Sequence, residues 1–334
     1  MFSPQKSSRA LSAFDQAMRR WTALPLSQHT ESIEERTSRP GNRRTVGKQL
    51  SLTSWNIHAS PFNASRSNLR VSECTRLILD RILEGPKSPD ILFLQGVALV
   101  ARKSVLDDPR VRSRFLTSDA EDDTAFKGVP FATITLLSNE RFVSPLTPPE
   151  NKDEGKGDSG EREGDDPKFV LDSVFRMTLP SRYKRDALCV NVRDPATPGN
   201  VFRLLNVHLE SLDAYFRRAL QVHLLDRLLR EGGCSGGVVA GDFNAIDPDD
   251  RTLVEKHGLV DAWVKLHGDA AGRDEGATWG VGVGQLENGL EPGRLDKVIM
   301  SGLEPVDIEV LQPGRNGAFT PWSDHCGLRC TFTV

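Results

Sequence analysis

Four short stretches of the 334-residue sequence place groups that move protons or bind anions just where an apolar run ends or begins. Trp55-Asn56 closes LSLTSWNI, and His208-Leu209-Glu210-Ser211 follows FRLLNV. Gly241-Asp242-Phe243-Asn244 follows VVA, and Ser323-Asp324-His325 precedes GLRCTFTV. Asp242 can take a proton from water. The amides of Asn56 and Asn244 can donate to anionic oxygens, and their carbonyl oxygens are acceptable Mg²⁺ ligands. His208 and His325 can donate hydrogen bonds, most strongly as imidazolium. Together these are the parts needed to hydrolyse an anionic ester: donors for its oxygens and a base for water. Singly, each has a plainer reading. Asn56 suits a turn, Asp242 with Asn244 an Asx turn, and His325 a hydrogen-bonded position at a strand entrance.

Strand ends can gather such groups only if the strands share a sheet edge, and ligands of α/β sheets bind beyond strand ends. Residues 50–57, 90–95, 131–138, 188–192, 202–209, 237–242, 297–300 and 327–334 read as strands, several of them apolar throughout and hence buried on both faces. Helical periodicity predicts a helix over Val71–Glu84 with Cys74, Leu77, Ile78 and Ile82 on one side. A second is predicted over Ala214–Arg230 with a stripe of Phe216, Leu220, Leu224 and Leu228 and with His223 packing near it. The pattern implies one layered α/β domain over residues 48–334, two packed sheets with helices outside. Residues 1–47 read as a poorly ordered extension carrying one short amphipathic helix (Leu11, Phe14, Met18, Trp21), broken by Pro25 and Pro40. An organelle-targeting role is a weaker reading, since Asp15 interrupts the basic start. Residues 147–167 carry eight acidic residues and repeated Gly, and read as a disordered insertion between strands.

Composition narrows the function classes. The chain is 38% hydrophobic and 27% charged with net charge −3, so it has no global attraction to nucleic acid or anionic membrane. No apolar run is long enough to span a bilayer and no signal-peptide core opens the chain, so an intracellular protein, nuclear or cytoplasmic, is expected. The five cysteines lack CxxC spacing, which indicates neither a disulfide framework nor a zinc site. A monomer is expected.

The ordered pieces SWNIHA, DILFLQGV, NVHLES, AGDFNAID, RLDKV and WSDHCGL, between residues 54 and 328, resemble the endonuclease/exonuclease/phosphatase superfamily of metal-dependent phosphodiesterases. His208-Leu209-Glu210-Ser211, Val260–Trp263 and Ala277-Thr278-Trp279 before Arg294-Leu295-Asp296 look most like its tyrosyl-DNA phosphodiesterase 2 branch. The resemblance implies a four-layer α/β sandwich of two mixed sheets flanked by helices, with Mg²⁺ (or Mn²⁺) as cofactor and DNA ends, including protein-linked ones, as partner. It also implies a catalytic set of Asn56, His208, Asp242, Asn244, Asp296 and His325, in which Asp296 orients His325. Asn56 and Asp324 fall by the metal and water, and Ser211 and Trp279 by the scissile phosphate and its flanking group. A core aromatic is an equal reading of Trp279. The basic run Ser181-Arg182-Tyr183-Lys184-Arg185 suits a solvated loop or, through Arg182, a DNA backbone. Arg217 and Arg218 could track phosphates or face water.

One position departs from the pattern. The superfamily strand corresponding to DILFLQ ends in Gln-Glu, the glutamate being the main metal ligand, and here Gly96 stands in its place. Mg²⁺ relies on one or two carboxylates, so impaired catalysis is expected, with Gln95, Asp324 or water as partial substitutes. On this basis Gly96→Glu is expected to strengthen metal binding and raise activity. The competing expectations are a catalytically inactive member that binds DNA ends or a protein, and other superfamily activities: abasic endonuclease, phosphoinositide phosphatase or sphingomyelinase.

Overall fold

A computed structural model describes residues 2–26, 48–58, 68–85, 88–146, 168–197, 199–268, 276–283, 291–316 and 320–334. Two eight-stranded mixed sheets pack face to face. The first runs Lys6–Arg9, Phe169–Thr178, Asp186–Arg193, Val201–His208, Cys234–Asp242, Asp296–Ser301 and Val260–Asp261, with Phe142–Val143 beside Phe169–Thr178. The second runs Glu304–Leu311, Gly327–Thr333, Gln49–Asn56, Ile91–Val97, Ala132–Ser138, Phe115–Ser118, Leu11–Asp15 and Arg20–Ala23. Helices Asn68–Leu83 and Leu99–Asp107 cover one outer face, and helix Tyr215–Leu229 covers the other. This is the four-layer α/β sandwich expected from the sequence.

The period of two along each strand divides the apolar runs between layers. Ile91 and Phe93 enter the inter-sheet core with Leu50, Leu52, Leu204, Val238, Ala240 and Val298. Their neighbours Leu92 and Leu94 pack outward against Ile78, Leu79 and Ile82 of the helix. Double-sided burial therefore explains why DILFLQ lacks alternation. Between the sheets Arg176 pairs with Asp119 at 2.8 Å and Asp186 at 2.8 Å, and donates to the Thr133 carbonyl. A buried guanidinium is tolerated there because its donors are met.

Three expectations are corrected. Residues 6–23 form no helix and no loose tail among the described residues: Lys6–Arg9 adds an edge strand to the first sheet, and Leu11–Asp15 with Arg20–Ala23 forms a hairpin on the edge of the second. Leu11 is fully buried, Phe14 meets Trp21 edge-on at 5.4 Å, and the Asp15 carboxylate accepts from the Ala17 and Met18 amides to close the turn. Helical spacing of these four apolar residues coincided with hairpin pairing. Helix Tyr215–Leu229 is rotated from the predicted stripe, for Phe216 and Leu220 are exposed while Val222, Leu225, Leu228 and Leu229 are buried. The cause is Arg218, turned inward to Asp250 at 2.7 Å and to the Glu210 and Leu212 carbonyls; it neither tracks phosphates nor faces water. His223 is consequently exposed, beside His257, and not packed. Residues 147–167 lie outside the described residues, as do residues 27–47. Among the described residues no helix is long and apolar enough to cross a membrane.

Asp261 anchors the end of the first sheet. It caps helix Ala262–His267 through the Trp263 and Val264 amides, and pairs with Arg294 at 2.7 Å and with buried Lys297 at 3.3 Å. Burial would raise its carboxyl pKa, but Lys297 and Arg294 outweigh burial and hold it below the ordinary range. A carboxyl depressed on folding contributes stability that is complete above its unfolded pKa and is lost as pH falls through the folded value. Asp261→Asn should therefore cost about 3–5 kcal/mol at neutral pH, because Lys297 is left buried and unpaired. Urea unfolding at neutral pH and at about pH 3 checks this, with the gap between variant and parent narrowing in acid.

Candidate active site

Strand parity builds the site. On the inner face, Leu50 and Leu52 lead to Asn56, Leu204 to His208, Val238 and Ala240 to Asp242, and Val298 to Asp296. Asp242 is the register partner of both His208 and Asp296, so these three lie side by side on adjacent strands of the first sheet. Asn56 faces them from the second sheet, its Nδ2 donating to Asp242 Oδ2 at 2.8 Å. His325, just before strand Gly327–Thr333, enters the same cluster. Its Nδ1 is 2.8 Å from Asp296 Oδ2, and its Nε2 is 3.4 Å from Asn56 Nδ2 and 3.7 Å from Asp242 Oδ2. His208 Nε2 lies 3.3 Å from Asp242 Oδ2.

Several supports were not singled out from sequence. The Trp55 indole donates to the His325 carbonyl at 3.0 Å, and its ring lies on Gly327, where an added Cβ would stand 2.5 Å from the ring. The Ser323 hydroxyl contacts the Asn56 and His58 carbonyls and accepts from the His325 amide. Thr278 Oγ accepts from the Leu295 and Asp296 amides, which fixes the Asp296 backbone. Ser323 and Thr278 stand within quoted motifs, but a hydroxyl's partner is a tertiary fact.

Burial and charge set the protonation states. Burial alone would lower the His325 pKa, but the Asp296 and Asp242 carboxylates override it and hold the imidazole protonated above its usual range. His208 is pushed well below its usual value, first by burial and then by the charges of Arg185, His325 and His58. It is neutral near pH 7, contrary to the imidazolium role its sequence position suggests.

The remaining expected residues divide. Asn244 (φ 48°) donates its backbone N–H to Asp242 at 2.8 Å and its side-chain amide to the Leu209 carbonyl at 3.1 Å, so it is the Asx turn and spends its donor internally. Asp324 receives the Trp279 indole at 3.2 Å on Oδ2, while Oδ1 is buried without a partner. Trp279 is half-buried beside it, so it is not a plain core aromatic. Arg182 points its side chain to solvent, its amide held by Glu210 at 3.0 Å. Glu210 also receives Ser181 and Arg217. This anchor delivers Arg185 to the site: its Nη2 donates to Ser211 at 3.0 Å, its Nε is buried without a partner, and it faces the charges of Asp242 and Glu210. Of the basic run, Arg185 rather than Arg182 reaches the centre. With His208 and Phe131 it borders a cavity of about 20 Å³, room for one water. A cleft of about 780 Å³ between the amino-terminal hairpin and helix Leu99–Asp107 contains none of these groups and is not the reaction centre.

The residues present do not fit a divalent metal at the Gly96 position. Gly96 adopts φ +63°, and an added Cβ would lie 2.1 Å from Asn56 Oδ1 and 2.6 Å from His58 Cβ. Asn56 Oδ1 already accepts the His58 amide at 3.0 Å. Gln95 turns between the sheets to Ser54 and Asn206, so it is no substitute ligand. Asp242, Asp296 and His325 bring ligand atoms within 4.8 Å of one another, but Asp242 Oδ2 accepts from Asn56 and Asp296 Oδ2 meets His325 Nδ1, which leaves Asp296 Oδ1 as the carboxylate oxygen without a partner among them. The expected gain from Gly96→Glu is thus overturned by the space itself. Both Gly96→Glu and Gly96→Ala should instead lose stability, by about 1–2 kcal/mol for the left-handed backbone and more for the clash. Thermal unfolding with Mn²⁺ titration checks this, and a Glu variant of parental stability that binds Mn²⁺ tightly contradicts it.

No curated protein matches the chain. Solved structures do. TDP2 from Caenorhabditis elegans, truncated, is 19% identical with TM-score 0.58 over 86% of this chain and 98% of that one. TDP2 from D. rerio is 18% identical with TM-score 0.60 over 86% and 99%. The human Nocturnin catalytic domain is 18% identical with TM-score 0.55 over 85% and 94%. At these identities the likeness concerns the fold. The family model described as "Endonuclease/Exonuclease/phosphatase family" matches residues 53–325, nearly the whole chain beyond the amino-terminal strands, and the chain belongs to that family.

Proposed function

We propose that the protein hydrolyses a phosphodiester at a DNA end, a 5′-tyrosyl ester being the favoured form. The observation that carries this reading is the joining of Asn56, Asp242, His325 and Asp296 across the two sheets in one hydrogen-bonded cluster. Members of the family are hydrolases of phosphodiester bonds, and that cluster supplies the required parts. Asp242 takes the proton of a water whose oxygen bonds to phosphorus. The bond from phosphorus to the leaving oxygen breaks, and its electron pair goes to that oxygen. His325, kept cationic and oriented by Asp296, and Arg185 meet the charge that gathers on the non-bridging oxygens. Neutral His208 can give one hydrogen bond but is a poor acid, which favours a leaving group stable as an anion. A tyrosyl phenolate, with an ordinary pKa near ~10, meets that condition better than an alkoxide.

The D. rerio TDP2 structure holds a single-strand DNA product, which supports a DNA end as substrate class. Against this stands the reading of a binding protein without activity, which Gly96 favours through loss of the expected ligand. The hydrogen-bonded arrangement of Asp242, His325 and Asp296 supports the hydrolase reading all the same.

Activity on four substrates, with and without Mg²⁺, tests the reading: a 5′-tyrosyl oligonucleotide, an abasic duplex, an inositol phosphate and sphingomyelin. The tyrosyl substrate should be cleaved fastest, and Asp242→Asn should lower kcat by about 10²–10⁴. Cleavage of another substrate alone replaces the assignment, and cleavage of none in either buffer refutes hydrolysis.

A further inference from the structure

The space a side chain at position 96 would need is occupied by this chain's own atoms. Asn56 Oδ1 and His58 fill the volume beside Gly96, where the strand register against Ala132–Ser138 shifts between Leu94 and Val97. Both polar ends of the Asn56 amide are used, Oδ1 by the His58 N–H and Nδ2 by Asp242. Among the described residues of the site, two carboxylate oxygens, Asp324 Oδ1 and Asp296 Oδ1, are buried and unpartnered. Asp324 is not among the side chains whose ligand atoms gather within 4.8 Å, which are Asp242, Asp296 and His325, so the two free oxygens are not drawn together on one small cation that demands near-ideal geometry. Cationic and donor side chains crowd the same place. Arg185 has a buried Nε without a partner, and His208 has a buried Nδ1 without one. Both border the small cavity whose wall, Phe131, meets His58 at a tilt with 4.1 Å between ring centroids. His325 Nε2 lies 3.7 Å from Asp242 Oδ2, the oxygen that His208 also approaches.

Building on the hydrolase reading, we propose that this chain binds its phosphodiester without a resident divalent cation, the anion being held by the Arg185 guanidinium and the imidazoles of His208 and His325. A guanidinium suits this substitution because it is permanently charged and presents donors in a plane matching two phosphate oxygens. It also needs no open coordination position. The ligand class is a nucleic-acid phosphate rather than a metal–phosphate complex.

The test uses the full chain and a 5′-phosphorylated tetranucleotide, with affinity measured by calorimetry in EDTA and in Mg²⁺, and Mn²⁺ binding measured separately by electron paramagnetic resonance. Affinity should differ by less than about twofold between the two buffers, and no saturable Mn²⁺ site should appear below about 1 mM. Arg185→Ala should weaken tetranucleotide binding by about tenfold or more, with Arg185→Lys recovering part of it. A stoichiometric Mn²⁺ site abolished by Asp324→Asn, affinity about tenfold higher in Mg²⁺, or binding in neither buffer would overturn the proposal. Cleavage of the tyrosyl substrate only with Mg²⁺ leaves the hydrolase reading standing and removes this one. Tetranucleotide binding in EDTA with no cleavage of any substrate does the reverse.

Discussion

The hydrogen bond from Asn56 to Asp242, 2.8 Å long, is the point at which the two sheets become one site. Each residue ends the inner face of a strand whose earlier inner positions are apolar, so the core that packs the sheets also sets the separation of these two groups. The rest follows from that contact. His325 is placed against both residues and against Asp296, and its backbone is tied to Trp55 and Ser323, the residue before Asn56 and a hydroxyl that contacts the Asn56 carbonyl. Loss of packing between the sheets would therefore be felt as loss of the reaction geometry.

The electrostatics of the centre depend on the same enclosure. Buried carboxylates and imidazoles cannot all carry charge independently, so they sort into a protonated His325 beside Asp296 and Asp242, and a neutral His208 beside Arg185. Glu210 belongs to this balance without touching the reaction. Fully buried, it receives Ser181, the Arg182 amide and Arg217, and this fixes the loop that carries Arg185 inward. The glutamate of the HLES stretch is thus an anchor for a positive charge, and the exposed Arg182 is the visible end of that loop.

Much of the site was legible before the fold because its residues end recognisable strands. Asn56, His208 and Asp242 lie at the ends of predicted strands and Asp296 immediately precedes one, which already puts all four at strand ends. What was not legible rests on contacts distant in sequence. The amino-terminal hairpin has apolar spacing that a helix also satisfies, and only pairing with Phe115–Ser118 decides between them. Helix Tyr215–Leu229 turned its face because Arg218 found Asp250 some thirty residues away. The outward-directed Phe216 could not have shown that a charged residue would be buried in its stead.

Gly96 carries the contrast furthest. The sequence by itself determined that a side chain expected at the end of a buried strand is absent, and that the surrounding chemistry of carboxylate, amide and imidazole is present in order. Whether that absence left an open hole was decided by tertiary structure alone. A glycine can hold φ +63° where a glutamate is strained, and Asn56 and His58 lie in the volume a side chain there would need. Identity of residues follows from the order of the chain, but occupancy of space follows from packing, and packing closed this position.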